Sequence, residues 1–370
     1  MSDFLVVGGG IAGAAAGYFL APYGRVTLLE AERTPGIHAT GRSAAVFSEY
    51  YGNDRVRSLT RDSRAFYEDP PPGFTDTPLL TARGVLALET PGTADDFDAA
   101  LKSGADAPRP AVELTPAEAL RLCPALRPDA FRRVLHRPGT RDIDVDATHR
   151  GFLRALRAAG NAVVTGARVR ALARRRGLWH ADTPAGEFAA PIVVNAAGAW
   201  ADRVAALAGA RPAGLTPRRR TAAIAALPPG TAAAGWPLVC DVADTFYAKP
   251  ESGGLLLSPV DADPADPGDV RPDDLGVALA LERVNAVTIL RLRHISHAWA
   301  GLRTATPDDT PVVGPDPDLP GFAWLAGLGG YGIQTAPAAG ALLAALVAPG
   351  APPPTTPGAT PARGRVLPLK

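Results

Sequence analysis

The chain has 370 residues, 46% hydrophobic and 20% charged, with 38 Lys and Arg against 37 Asp and Glu. A net charge of +1 argues against nucleic acid or an anionic membrane surface as the main partner, because phosphate binding draws on a clustered excess of cations. The length exceeds one ordinary core and predicts two domains.

The opening MSDFLVVGGG lacks the basic segment and cleavage site of a secretory leader. No apolar run approaches the roughly 20 residues of a spanning helix, so a cytoplasmic enzyme without a membrane span is expected. DFLVV, 3–7, reads as a buried parallel strand running into GGGIAG. IAGAAAGYFLAPYG reads as a small-residue helix stopped at Pro22 and Gly24, and RVTLLE, 25–30, as a second strand. The stretch 38–52, HATGRSAAVFSEYYG, has neither helical nor strand periodicity. A helix over 55–69 would bury Val56, Leu59, Ser63, Phe66 and Tyr67. Thr115-Pro116-Ala117-Glu118 is a capping box, and Asp146 is read as the cap of a helix ending at Gly160.

Residues 161–193 are strand-rich, with turns at Gly177 and Gly186, and close on VVNAAGAW before a helix. Strands follow over 217–260, with ESGG as a hairpin turn, then a helix within 272–290 and strand through 304. FAWLAGLGGYGIQTAPAAGALLAALV, 322–346 and onward, repeats the order of apolar strand, glycine turn and long helix. From Pro349 the tail reads as linker-like. This order predicts an α/β Rossmann-like cofactor domain (1–45, 146–215, 301–370) interleaved with an α+β, strand-rich substrate domain (46–145, 216–300). Cys123 and Cys240 stand apart and read as core thiols, and His294 and His297 lack a third ligand, so no metal site is expected.

Gly8-x-Gly10-x-x-Gly13 between strand and helix is a dinucleotide signature. The first glycine permits the turn, the second close approach of a pyrophosphate, and the third packing of helix on strand. Glu30 ends the second strand, where its carboxylate can bond ribose hydroxyls. The bland alternative is a structural glycine turn. A nicotinamide enzyme would continue with alternating strands and helices. Here the chain leaves for another domain and later supplies VVNAAGAW and LGGYGIQT, which fits FAD better than NAD.

With these motifs the sequence resembles the D-amino acid oxidase-like flavoproteins over essentially its whole length. HATGRSAA, RSLTRDSRAFYEDPPPGF, PLL, GLTPRRR, FYAKP, HAWAGLR and GGYGIQT resemble, in order, segments of FAD-dependent D-arginine dehydrogenase, a broad-specificity D-amino acid dehydrogenase within that family. The resemblance implies that Arg220 and Arg303 hold a substrate carboxylate, and that Tyr51 and Tyr247 flank the substrate. It places Gln334 and the backbone of Gly330–Gly332 beside the flavin, with Ser48, Val46, Val85 and Tyr331 completing the substrate pocket. The implied cofactor site comprises Gly8, Gly10, Ile11, Ala12, Gly13, Glu30 and Ala31, then Gly41, Arg42, Ser43 and Ala44. It continues through Val169, Ala197, Gly198, Trp200 and Gly301 to Gly330, Gly332, Ile333, Gln334 and Thr335.

Bland alternatives stand beside these roles. Arg220, third of three arginines, could lie on a solvated strand face. Arg303 could pair with Asp308 or Asp309, and Lys249 could share the face of Tyr247. Two departures matter: Val85 stands where the arginine dehydrogenase pattern has a carboxylate, and Val46 where it has His. A buried cationic side chain would find no counter-charge there, so neutral, apolar side chains are expected. AWAGLR contains no cysteine before Arg303, so FAD should be held non-covalently. The expected reaction is hydride transfer from Cα to flavin, giving a 2-oxo acid and ammonia, with a quinone or O2 as acceptor. The alternatives are an O2-using oxidase of glycine, sarcosine or an N-substituted amino acid, and a non-catalytic FAD-binding protein.

Overall fold

A six-stranded sheet carries the cofactor side of the molecule in the computed structural model, which describes residues 2–352. The reading of the tail as a linker falls mostly on 353–370, outside the described residues. Phe4–Val7 sits at the sheet's centre, parallel to Val26–Leu29 and Ile192–Asn195; Ala162–Val164 and Phe322–Ala326 extend it in parallel, and Val312–Pro315 closes one edge antiparallel. The central strands are apolar and buried on both faces, as a sheet covered on both sides requires. Alternate residues divide between the faces. Phe4, Val6, Val26 and Leu28 meet the helices Ile11–Leu20, Val145–Ala158 and Gly332–Val347, whereas Leu5, Val7 and Leu29 meet a three-stranded meander over 171–190 and the helix Ala201–Ala208.

The second large sheet has nine strands, and Thr216–Ala225 and Ile295–Ala305 form its longest pair. One face packs on the helices Pro116–Leu122 and Asp274–Val287. The other carries Val85, Ala87, Leu135 and Cys240 against Tyr50 and Phe97. The ESGG hairpin joins Tyr247–Glu251 to Gly254–Ser258 through Ser252 (φ 51°) and Gly253 (φ 75°), positive values as a two-residue turn of this kind needs. Together the sheets give a mixed α/β fold in which a parallel cofactor sheet stands beside strand-rich sheets.

Local expectations fare unevenly. The Thr115–Glu118 capping box forms with both reciprocal bonds. The cap at 144–146 is a correction: Asp144, not Asp146, accepts from the Ala147 N–H at 2.8 Å, and Asp146 lies in the first turn. Asp54–Glu68 is capped by Asn53, and its buried face is Val56, Thr60, Ser63 and Tyr67, so Leu59 and Phe66 are only half-buried. Thr60 and Ser63 bond carbonyls one turn back (2.8 Å each), which satisfies their hydroxyls in the interior.

Candidate active site

One cleft of about 380 Å³ runs from the N-terminal glycine turn to the face of the nine-stranded sheet. At its first end the backbone decides the chemistry. Gly8 holds φ +110°, and a Cβ there would lie 2.4 Å from the Ala196 carbonyl oxygen; at Gly13 it would lie 1.8 Å from the Gly8 oxygen. Side chains are therefore excluded at both. The helix Ile11–Leu20 starts without a side-chain cap on Gly10. Thr40 Oγ1 takes the Ile11 N–H (2.9 Å), and the next amides of the first turn are left for an anion. Glu30 accepts from Gly9 N (2.6 Å) and Glu32 N (2.8 Å), fixing its carboxylate on the cleft wall. Buried His149 bonds the Gly9 carbonyl through Nε2 at 2.8 Å. Burial lowers its pKa, so the imidazole is neutral with its proton on Nε2.

Midway, the segment around Arg42 crosses to the other sheet. Arg42 donates to the Ala300 carbonyl (2.9 Å) and pairs with Asp269 (2.5 Å), while Trp299 Nε1 donates to the Arg42 carbonyl (3.0 Å). Gly301 gives room for this, since a Cβ there would stand 3.3 Å from that of Arg42.

The far end is built from side chains on paired strands. Arg218 lies opposite Arg303 and Arg220 opposite Gly301, so Arg220 and Arg303 share one sheet face as diagonal neighbours. Arg219 points the other way, to Asp261 and Asp263. Strand alternation thus separates the third arginine of the run from Arg219 and its carboxylate partners. Among the described residues, neither Arg220 nor Arg303 forms an ion pair with a carboxylate. Arg220 Nε donates to the Asp261 carbonyl (2.8 Å) and Arg303 Nη1 to Tyr51 Oη (3.2 Å). Asp308 instead bonds Thr306 and the Thr310 N–H. Burial and the adjacent Arg303 charge hold the Arg220 pKa below the usual guanidinium range. Two enclosed cations without a counter-ion are costly unless an anion joins them. Gly330 lets the backbone close over them, as a Cβ there would fall 2.8 Å from Arg303 Nη1. The rings of Tyr51 and Tyr331 meet edge to face at 4.7 Å, and burial keeps the Tyr331 phenol protonated.

Most of the expected positions face this cleft: Gly8, Gly10, Ile11, Ala12, Glu30, Ala31, Arg42, Ser43, Ala44, Val169, Ala197, Gly198, Trp200, Arg220, Tyr247, Gly301, Arg303, Gly330, Gly332 and Ile333. Several do not. Gly13 packs under Gly8, and Gly41 folds back on the Gly36 carbonyl. Thr335 is wholly buried, bonding the Tyr331 carbonyl. Gln334, expected beside the flavin, is a buried strut: its amide oxygen accepts from Ser48 N (3.1 Å) and its nitrogen donates to Thr60 (2.9 Å). Ser48 is enclosed by that contact, and Val46 and Val85 join Tyr247 in the apolar cluster around Tyr50. Tyr50 turns away from Tyr51 and bonds the Arg109 carbonyl. Lys249 is engaged by Asp142 and Glu251 (3.0 Å each) rather than facing the cleft. Thr40, Thr60 and His149 were not anticipated, because their partners lie 29 to 274 positions away.

The sequence model of the DAO family, described as FAD dependent oxidoreductase, matches residues 3–346. An uncharacterized oxidoreductase of Bacillus subtilis, YurR, is 28% identical over 94% of this chain and 95% of its own. Glycine oxidase of Geobacillus kaustophilus is 27% identical over 93% and 92% of the two chains, and its crystal structure superposes with a TM-score of 0.82 over 93% and 94%. The structure of iminodiacetate oxidase from Chelativorans sp. BNC1 gives 0.80 at 25% identity, covering 96% and 97%. With the glycine cradle, the two-sheet cleft and this match in hand, the chain belongs to the DAO family of FAD-dependent oxidoreductases.

Proposed function

We propose that this flavoprotein oxidises the Cα–N bond of a D-amino acid whose side chain carries no positive charge and is apolar where it leaves Cα. The observation that carries the reading is the pair of half-buried, carboxylate-free guanidiniums, Arg220 and Arg303, at the far end of the FAD cleft. The residues suit the cofactor: glycines that exclude Cβ atoms, uncapped amides for a pyrophosphate and Glu30 for ribose hydroxyls. FAD, when bound, supplies the acceptor for the hydride that leaves Cα.

The rest falls to the chain. Arg220 and Arg303 clamp the substrate carboxylate in a fork geometry and so orient the Cα–H bond. Tyr51 Oη accepts from Arg303 and keeps a second lone pair to accept an N–H of the amine, and Tyr247 closes the opposite side. The helix starting at Gly332 has no side-chain cap, so its N-terminal dipole favours negative charge that develops in the cleft. Gln334 ties Ser48 to Thr60 and keeps the 38–52 segment closed over the site. The amine must be neutral for its lone pair to assist departure of the hydride, so the rate rises with pH. The imine product then hydrolyses to a 2-oxo acid and ammonia. The apolar cluster that Val46 and Val85 form with Tyr247 stands behind this end of the cleft and offers no counter-charge to a cationic side chain such as that of D-arginine. FAD is held non-covalently, since neither cysteine reaches the cleft and burial pushes the two thiols up to about 11 and about 12.

Anaerobic mixing of the purified flavoprotein with D- and L-amino acids and N-methylglycine tests the reading. Bleaching by neutral D-amino acids is expected; no bleaching by any amino acid would overturn it, and the highest specificity constant with D-arginine would overturn the pocket assignment. Similarity to glycine oxidase and iminodiacetate oxidase supports a second reading, oxidation of glycine or a secondary amine with O2 as acceptor. Stoichiometric hydrogen peroxide in air, with N-substituted glycines as the best reductants, would select it.

A further inference from the structure

A second hollow of about 280 Å³ is lined by Tyr51, Arg137, Asp244 and Ser103 among others. It meets the substrate end of the cleft at Tyr51, whose hydroxyl accepts from Arg303 Nη1 (3.2 Å). Arg137 ends the strand Val134–Arg137 and lies directly opposite Val85; Leu135 is opposite Ala87, which pairs with Cys240, and Cys240 with Tyr247. Strand alternation therefore puts Arg137, Val85, Cys240 and Tyr247 on one face of the sheet. The Arg137 Nε is buried without a hydrogen-bond partner, and among the described residues its guanidinium forms no ion pair with a carboxylate. Its packing partner is the ring of Tyr50, 6.0 Å away.

The two acids in this hollow do not neutralise it directly. Asp241 is committed to the N–H and hydroxyl of Thr245, at 2.7 Å each. Asp244 sits at φ 53°, on the loop leading to Tyr247, and burial raises its carboxyl above the usual range despite Arg137, Arg220 and Arg303. A cation in the hollow would face Arg137, and an apolar group would leave that guanidinium dehydrated without a partner. A carboxylate would meet a fork-shaped donor whose Nε has no other partner.

We propose that Arg137 is a second carboxylate anchor and that the preferred substrates are 2-aminodicarboxylates. The α-carboxylate lies on Arg220 and Arg303, the methylene stem passes Tyr51, and the distal carboxylate reaches Arg137. This rests on the reading of Arg220 and Arg303 as the clamp for the α-carboxylate, and it names the group at the tip of the side chain.

Two measurements on the FAD-loaded protein test it. Calorimetric titration compares saturated dicarboxylates of four to six carbons with monocarboxylates of equal length. At least tenfold tighter binding of one dicarboxylate is expected, and equal binding overturns the anchor. The second is the ratio of kcat/KM for glutamate over glutamine, each as both enantiomers. It should exceed ten, fall towards one in Arg137→Gln and recover in part in Arg137→Lys; a ratio near one in the parent protein, or one unchanged by Arg137→Gln, overturns the proposal. Should Arg137→Gln fail to fold, Arg137→Lys and the titration still decide. Tight dicarboxylate binding with no flavin bleaching by any amino acid would uphold the anchor and sink the oxidation reading. Bleaching by neutral amino acids without a dicarboxylate preference would do the reverse.

Discussion

The two ends of the cleft are made in different ways. Around Gly8 and Gly13 the cradle is backbone, and its requirement is negative: no Cβ fits, whatever side chain carries it. Around Arg220 and Arg303 the site is charge, held on paired strands and left without a carboxylate partner. The first end should therefore fail completely when altered, and the second by degrees.

The largest expected effect follows at the backbone end. Gly13→Val sets side-chain carbon against the Gly8 carbonyl oxygen, 1.8 Å from the Cβ position, so helix and turn must separate. The purified protein should carry no flavin, read from the ratio of its absorbance at ~450 nm to that at ~280 nm. Flavin retained at parent stoichiometry would break the contrast. At the other end, Arg303→Met should keep its flavin and lose about 100-fold or more in kcat/KM, as expected when charge-assisted bonds worth about 3 kcal/mol are removed. Arg303→Lys should recover part of that loss, because the charge returns without the fork.

The same contrast explains what could be read in the sequence. Gly8-x-Gly10-x-x-Gly13 and Glu30 were legible because a turn, a helix start and a strand end are contiguous in the chain, and each imposes its own residue type. Gln334 was legible as a member of the site but not as a strut, since its partners Ser48 and Thr60 lie 286 and 274 positions away. The bare triplet Arg218–Arg220 left two readings open, and only the register against Ile295–Ala305 sets Arg220 apart from Arg219. Asp144 and Asp146 show the limit at short range: either can cap a helix, and a shift of two residues is decided by where the preceding strand, Arg141–Ile143, ends. Arg137 gave no local signal at all, because what distinguishes it is its position across from Val85.

A smaller effect is expected at Gln334. Gln334→Leu leaves the buried Ser48 N–H without its acceptor and removes the donor to Thr60 Oγ1, a cost of about 1–3 kcal/mol. Thermal melting should shift down by several degrees, with KM rising more than kcat falls if the strut mainly holds the 38–52 segment closed. An unchanged melting temperature would show that the interior adapts here, and the substrate end would then be more plastic than its packing suggests.

The smallest effect returns to the backbone end and concerns pH. Burial, the largest influence, lowers the His149 pKa, and Arg150 lowers it further, while the Gly9 contact and Asp146 raise it. The unfolded chain therefore binds a proton at this position more readily than the folded protein does. Stability from His149 is full above the unfolded value of about 6.5 and is lost as pH falls through the lower folded value. Melting temperature should decline on acidification in that window, accompanied by looser flavin, because a charged imidazole is costly in this buried position and favours opening of the Gly9 turn above it. His149→Gln can keep a donor to the Gly9 carbonyl without titrating, and should flatten the decline measured by parallel melts across the window. An equally steep decline in that variant would place the acid sensitivity elsewhere, and the glycine cradle would then owe its shape to the chain's own turn rather than to the imidazole beneath it.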